Sequence, residues 1–168
     1  MTAMSVGGIF RPGMRAYFIP LVAGLLLAVS AFLPWVVVRG VSMTGVPDTA
    51  ALWVVGLGVL AAILALLSLI TRKNSRHPLL IIGLFSLGIM FLSWRVMPRT
   101  AGERALTISQ AFSIVENTPM ATSEDADVGA GIYLGLAASC VLVLFGMTIV
   151  VKRAAQPYIV ASPDDDVE

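Results

Sequence analysis

Cysteine and histidine occur once each, as Cys140 and His77. A single cysteine excludes an intrachain disulfide and any zinc or iron–sulfur site built from several thiolates. A single histidine excludes bis-histidine haem ligation within one copy, and His77, in "RKNSRHP", reads as a solvated residue at the edge of an apolar run. Charge is equally scarce. Charged residues make up 12% of the 168 positions, about half the usual share in soluble domains. The middle of every long apolar run lacks Asp, Glu, Lys, Arg and His. That absence argues against a proton-coupled pump or transporter, whose pathways need such groups inside the membrane. No Ser–His–Asp set can be placed at one depth, and no phosphate-binding glycine loop is present, "VGAGIYLG" being a poor match. No cofactor, metal or nucleic-acid partner is expected, and the chain reads as a non-enzyme.

What remains is apolar. Hydrophobic residues are 58% of the chain and the mean hydropathy is +0.91. A water-soluble fold would leave too much of that surface uncovered, and a bilayer removes the problem. A transmembrane helix needs about 20 apolar residues. Segments 16–38, 50–71, 78–96 and 128–151 meet that need. Backbone groups in lipid must bond within their own segment, so helices are expected. The fold class is therefore an all-α membrane protein, a four-transmembrane-helix bundle occupying 16–151.

Basic residues set the direction. Arg11 and Arg15, then Arg72, Lys73 and Arg76, then Lys152 and Arg153 all fall on one side. The other side carries Arg39, Arg95, Arg99 and Arg104 among acidic residues. Both termini are predicted inside, with segment 1–15 and the acidic tail 152–168 cytoplasmic, the tail disordered. Loops 39–49 and 97–127 lie outside. The apolar run through Val38 is longer than a secretory signal core, so an uncleaved signal-anchor is expected, although "AVSA" resembles a cleavage site.

The aromatic residues agree with this frame. Trp35, Trp53, Trp94 and Tyr133 all fall near the outer ends of their spans, as interface anchors do, and Arg39 beside Trp35 is placed to snorkel into headgroups. Arg95 and Asp127 are candidates for an ion pair at the same interface. In the first loop, Gly40, Gly45 and Pro47 are turn residues, Val41 and Met43 alternate as in a short extended piece, and Asp48 fits an N-cap for the second helix. In the second, Thr100 and Glu103 have capping-box spacing, and Ala105, Ile108, Phe112 and Val115 recur at helical intervals. These predict a short amphipathic helix over 101–116, ending at Asn117, with its apolar face on the membrane surface or the bundle top.

Gly131, Gly135 and Ser139 form a small-residue ridge in the fourth span, and Gly24 and Ala28 a similar pair in the first. Such ridges serve close helix packing, either within the bundle or against another membrane protein. "LPWVVVRGVSMTG", "DTAALWVVGLGVLAAILAL" and "GAGIYLGLAASCVLVLFG" together resemble small four-span bacterial membrane proteins with a PW at the end of helix one. More loosely, the chain looks like the four-span protein encoded with tryptophan-biosynthesis genes in actinobacteria. The resemblance implies a bacterial inner-membrane location and no activity. Membrane lipids are the expected surroundings. The expected function is an accessory or scaffold subunit of a larger membrane complex, docking through small-residue faces and the outer loop. An oligomeric pore or passive transporter, with a cavity lined by Ser30, Ser68, Ser86 or Ser93, and an envelope sensor using loop 97–127 are the alternatives.

Overall fold

A computed structural model describes residues 15–71, 76–120, 122 and 126–154. After a 3-10 turn at Arg15–Tyr17, the elements are α1 (Phe18–Ser30), β1 (Pro34–Val38), β2 (Val41–Thr44), α2 (Thr49–Thr71), α3 (Arg76–Glu116), β3 (Ala126–Val128) and α4 (Ala130–Ala154). Helices dominate. Three of them, α2, α3 and α4, are long and apolar enough to cross a membrane, and α1 is a shorter apolar helix. A small antiparallel sheet of order β2-β1-β3 sits at one end of the bundle. The expectation of a purely helical chain is corrected accordingly. The N-terminal segment, Arg72 and Lys73, and the tail beyond Ala154 lie outside the described residues.

The first predicted span, 16–38, is the largest correction. Its helix stops at Ser30, and Pro34–Val38 is a strand. The reason is local. Proline has no N–H to continue the helix, and its ring disfavours helical geometry at the preceding Leu33. Three valines follow, whose branched side chains suit a strand. Val38 then pairs with Val41 across Arg39 and Gly40, with φ of 51° and 78°. Two consecutive positive φ values make a type I′ turn, the connection whose twist matches a two-residue hairpin. The predicted loop 39–49 is thus half of a hairpin. Asp48 caps α2 as expected, its Oδ1 accepting the Ala50 N–H at 3.0 Å.

The second correction concerns α3. The predicted outer helix 101–116 and the predicted span 78–96 are one helix of 41 residues with Pro98 inside it. Thr100 does not cap: its hydroxyl donates back to the Met97 carbonyl at 3.1 Å, as a residue within a helix does. The end is where the sequence placed it. Asn117 has φ 56°, and the Thr118 N–H bonds the Ser113 carbonyl at 3.1 Å, a left-handed C-terminal cap.

The helices pack through small residues. A Cβ on Gly24 would lie 2.8 Å from the Gly58 carbonyl oxygen, and one on Gly58 would lie 2.6 Å from the Ala28 nitrogen. The backbones of α1 and α2 therefore touch. Gly83 meets α4 at Leu142 and Val143 in the same way. At the end opposite the sheet, Tyr17 stacks edge-on against Phe145 at 5.3 Å, and the Arg76 guanidinium lies 5.5 Å from that ring. Arg76 also donates to the Thr148 hydroxyl at 3.2 Å.

Gly58→Val is expected to destabilise the bundle by about 1–3 kcal/mol, because the added carbons meet backbone. Gly56 has open space around it, so Gly56→Ala is expected to be neutral or to stabilise by up to about 1 kcal/mol. Thermal unfolding of both variants in one detergent checks the contrast.

Candidate functional site

The sheet end of the bundle is organised around Trp35. In a continued helix, residue 34 would donate its N–H to the Ser30 carbonyl. Pro34 has none. The Trp35 indole supplies the missing donor, its Nε1–H reaching the Ser30 oxygen at 2.9 Å. A register shift between Pro34 and Val36 lets Trp35 bulge out of the ladder with β2, and bulges re-aim a side chain in this way. The ring turns inward and is 1% exposed. Gly45 and Gly131 close on it: a Cβ on either would lie 2.5 Å and 2.7 Å from ring carbons. The Trp35 carbonyl accepts the Gly129 N–H at 2.8 Å, which joins the start of α4 to the same residue.

Trp35 is therefore not an interface anchor. It is a core residue at the sheet end of the bundle. Trp53, Trp94 and Tyr133, by contrast, are exposed at 64%, 37% and 56%. Their levels along the bundle can be compared. Ser30, Met90 and Gly135 meet one another. Trp94 is four residues beyond Met90 and Tyr133 two beyond Gly135, or about 6 and 3 Å. The Gly24–Gly58 contact places Trp53 within about 2 Å of the Ser30 level by the same rise. The three exposed rings form one tier around the buried one.

Arg39 is also displaced from its expected role. At the hairpin turn its Nη2 donates to the Ser109 hydroxyl at 3.2 Å, so it ties β1 to α3. The geometry shows how the two elements rise together. Val36 and Ala101 line one cleft, and from there Arg39 is about 10 Å up the strand while Ser109 is about 12 Å up the helix. The 98–116 portion of α3 stands beside the sheet and does not lie across the bundle. Beyond Ser109 it overshoots the hairpin, leaving Phe112, Ile114 and Val115 exposed, Phe112 at 61% and Val115 at 83%, with Ile108 exposed just before it.

The small-residue ridges are occupied within the chain. Gly24 and Ala28 face α2, while Gly131 and Gly135 face Ser30, Trp35 and Met90. Ser139 is fully buried, its hydroxyl bonded to the Gly135 carbonyl. These residues pack the bundle and are not available to dock a partner. Arg95 and Asp127 are both exposed, and among the described residues no ion pair joins them. His77 and Cys140 are exposed as well. Among the described residues no group of three His, Cys, Asp or Glu side chains is gathered that would hold a metal.

Cavities concentrate at the sheet end. A cleft of about 410 Å³ lies between the hairpin, the start of α2 and α3, with Trp35, Met43, Asp48, Met97 and Arg104 among its walls. A second, of about 600 Å³, lies beyond the hairpin tip between Arg39, Phe112, Glu116 and Pro119. A wholly apolar groove of about 480 Å³ runs between α1 and α4. None of these three is lined by Ser30, Ser68, Ser86 or Ser93. The cleft over Trp35 was not foreseeable from sequence. Asp48 and Arg104 are 56 positions apart in the numbering, and only the continuity of α3 brings Arg104 over the hairpin.

No family of known proteins matches the chain, and no curated protein or solved structure matches it.

Trp35→Ala is expected to cost about 3–5 kcal/mol, since it opens a large cavity and leaves the Ser30 carbonyl with only the longer bond from the Leu33 N–H at 3.3 Å. Trp53→Ala is expected to cost under about 0.5 kcal/mol in detergent, as an exposed ring. Unfolding midpoints of the two variants check both values.

Proposed function

We propose that the chain is a non-catalytic integral membrane protein of the bacterial inner membrane, an accessory subunit that engages a larger membrane complex through its sheet end. The membrane placement is supported by the three long apolar helices and by the tier of exposed Trp53, Trp94 and Tyr133. From Trp94 to Arg76 is about 27 Å along α3, close to the roughly 30 Å of a hydrocarbon core. The short α1 reaches the tier because its chain continues through the Ser30–Trp35 joint. In this reading all four helices are embedded, both ends of the chain are cytoplasmic, and the sheet faces outside.

The observation that carries the docking proposal is the far end of α3. Counted from Trp94, Ile108, Phe112 and Val115 stand about 21, 27 and 32 Å outward. Exposed side chains that far from lipid are not covered by the bilayer, and apolar patches held in water mark interaction surfaces. The inner helix faces, by contrast, are filled by their own neighbours. Ser30, Ser68 and Ser139 turn their hydroxyls back to carbonyls of their own helices, which favours a packed bundle over a water-lined pore.

A photoreactive phenylalanine analogue at Phe112, expressed in native membranes, tests the proposal. Expected is one dominant cross-link to a larger membrane protein, lost when the analogue is moved to Gly131 inside the bundle. Reciprocal purification of the cross-linked protein should recover this chain in fixed proportion. Cross-links only to a second copy, or none, would sink the accessory reading.

A further inference from the structure

The cleft over Trp35 carries an inference that needs the membrane placement above but not the docking reading. Its floor and walls are apolar at Trp35, Val36, Met43 and Met97. The polar groups around it divide into two kinds. Thr44 and Thr100 already donate to carbonyls of their own segments, Val46 and Met97. Asp48 uses Oδ1 to cap α2, which leaves Oδ2 open. Arg104 is exposed and makes no hydrogen bond or ion pair among the described residues. One carboxylate and one guanidinium thus border the same space without bridging each other. A small-molecule site has this composition: about 300–1,000 Å³, mostly apolar, with a few polar groups that fix orientation.

Two opposite charges that line one largely apolar cleft without pairing suit a ligand that carries two opposite charges on a short linker. We propose that the cleft binds an ammonium–phosphate zwitterion, with the ammonium on Asp48, the phosphate on Arg104 and the connecting methylenes against Met43 and Met97. An ammonium offers three N–H donors, one of which suits the open Oδ2. A guanidinium binds phosphate through paired N–H groups. The flexible methionines adapt to the linker.

The level of the cleft selects the zwitterion's surroundings. Asp48 is about 7.5 Å beyond Trp53, and Met97 about 4.5 Å beyond Trp94. The headgroup layer occupies roughly 5–7 Å on each side of the hydrocarbon core. The mouth therefore opens where outer-leaflet headgroups lie. The same chemistry reaches the cleft from a phosphatidylethanolamine headgroup or from a free phosphoethanolamine ester in the surrounding water.

The test uses the full chain in mild detergent, with native mass spectrometry of retained lipid. Phosphatidylethanolamine is the probe; phosphatidylglycerol, which lacks the ammonium, and phosphatidylcholine, whose ammonium has no N–H, are the comparisons. Expected is one phosphatidylethanolamine per chain, retained at least tenfold over either comparison. Asp48→Asn and Arg104→Gln should each lower that retention about tenfold, and Asp48→Glu and Arg104→Lys should restore part of it. Asparagine caps a helix as well as aspartate does, so Asp48→Asn removes charge while keeping α2 intact; an unchanged melting midpoint verifies this. Soluble glycerophosphoethanolamine is the second arm, read by its effect on Trp fluorescence and on the melting midpoint. Binding of it that is lost in both variants, without lipid preference, would support the site and assign a free ligand. Equal retention of all three lipids together with no response to glycerophosphoethanolamine would overturn the proposal. So would responses that Asp48→Asn and Arg104→Gln leave unchanged.

Discussion

The Ser30 carbonyl is the point on which the sheet end depends. A helix leaves its last carbonyls without donors, and inside a bundle that shortage is costly. Pro34 removes the donor that would have served Ser30 in a longer helix. Trp35 returns one from its side chain at 2.9 Å, the shorter of two bonds to that oxygen, the other coming from the Leu33 N–H at 3.3 Å. That single substitution of an indole N–H for a peptide N–H turns the chain from helix to strand. It also buries a large ring where Gly45, Gly131 and Ala31 can surround it, and it places β1 where β2, β3 and α3 can pack.

From that joint the remaining architecture follows by contact. β1 accepts β2 on one side and β3 on the other. β3 leads within two residues into α4, and the Gly129 N–H on the Trp35 carbonyl sets where α4 begins. α4 then packs Gly131 and Gly135 against the end of α1. The small residues are thus used to bring backbones together beneath the sheet. The large exposed side chains are left on the outer helix surfaces and on the projecting end of α3. Packing and interaction are divided by position along the bundle.

Much of this was legible in the sequence, and the exceptions share a cause. Spans two and four, the cap at Asp48 and the helix end at Asn117 depend on local signals: apolar length, a capping side chain and a residue tolerant of positive φ. The PW pair was legible as a boundary in the first apolar run, with Trp35 at it. Its direction was not, because whether a tryptophan faces lipid or core is decided by a bulge and two distant glycines. The valines of "PWVVV" suit an apolar helix and a strand alike by composition, and hairpin pairing decided between them. The span and the outer helix read as separate elements because Thr100 and Glu103 imitate a helix start, yet α3 continues through Pro98 beside β1 and β3. The zwitterion cleft was invisible for the same reason: its two charges meet only through tertiary structure.

The uninterrupted run of α3 has a mechanical consequence. A helix of 41 residues is about 61 Å long. Its lower end is held by the Arg76–Phe145–Thr148 cluster, and its upper end projects beyond the hairpin. Such a rod has no break between its two ends at which to absorb a rotation. Tilting it by about 5° about its base would sweep Phe112 sideways by roughly 5 Å, since the lever arm is about 54 Å. The Arg39–Ser109 bond would be the strut that resists the sweep. A chain built in this way would carry a displacement from one end of the bundle to the other as movement of one solid element.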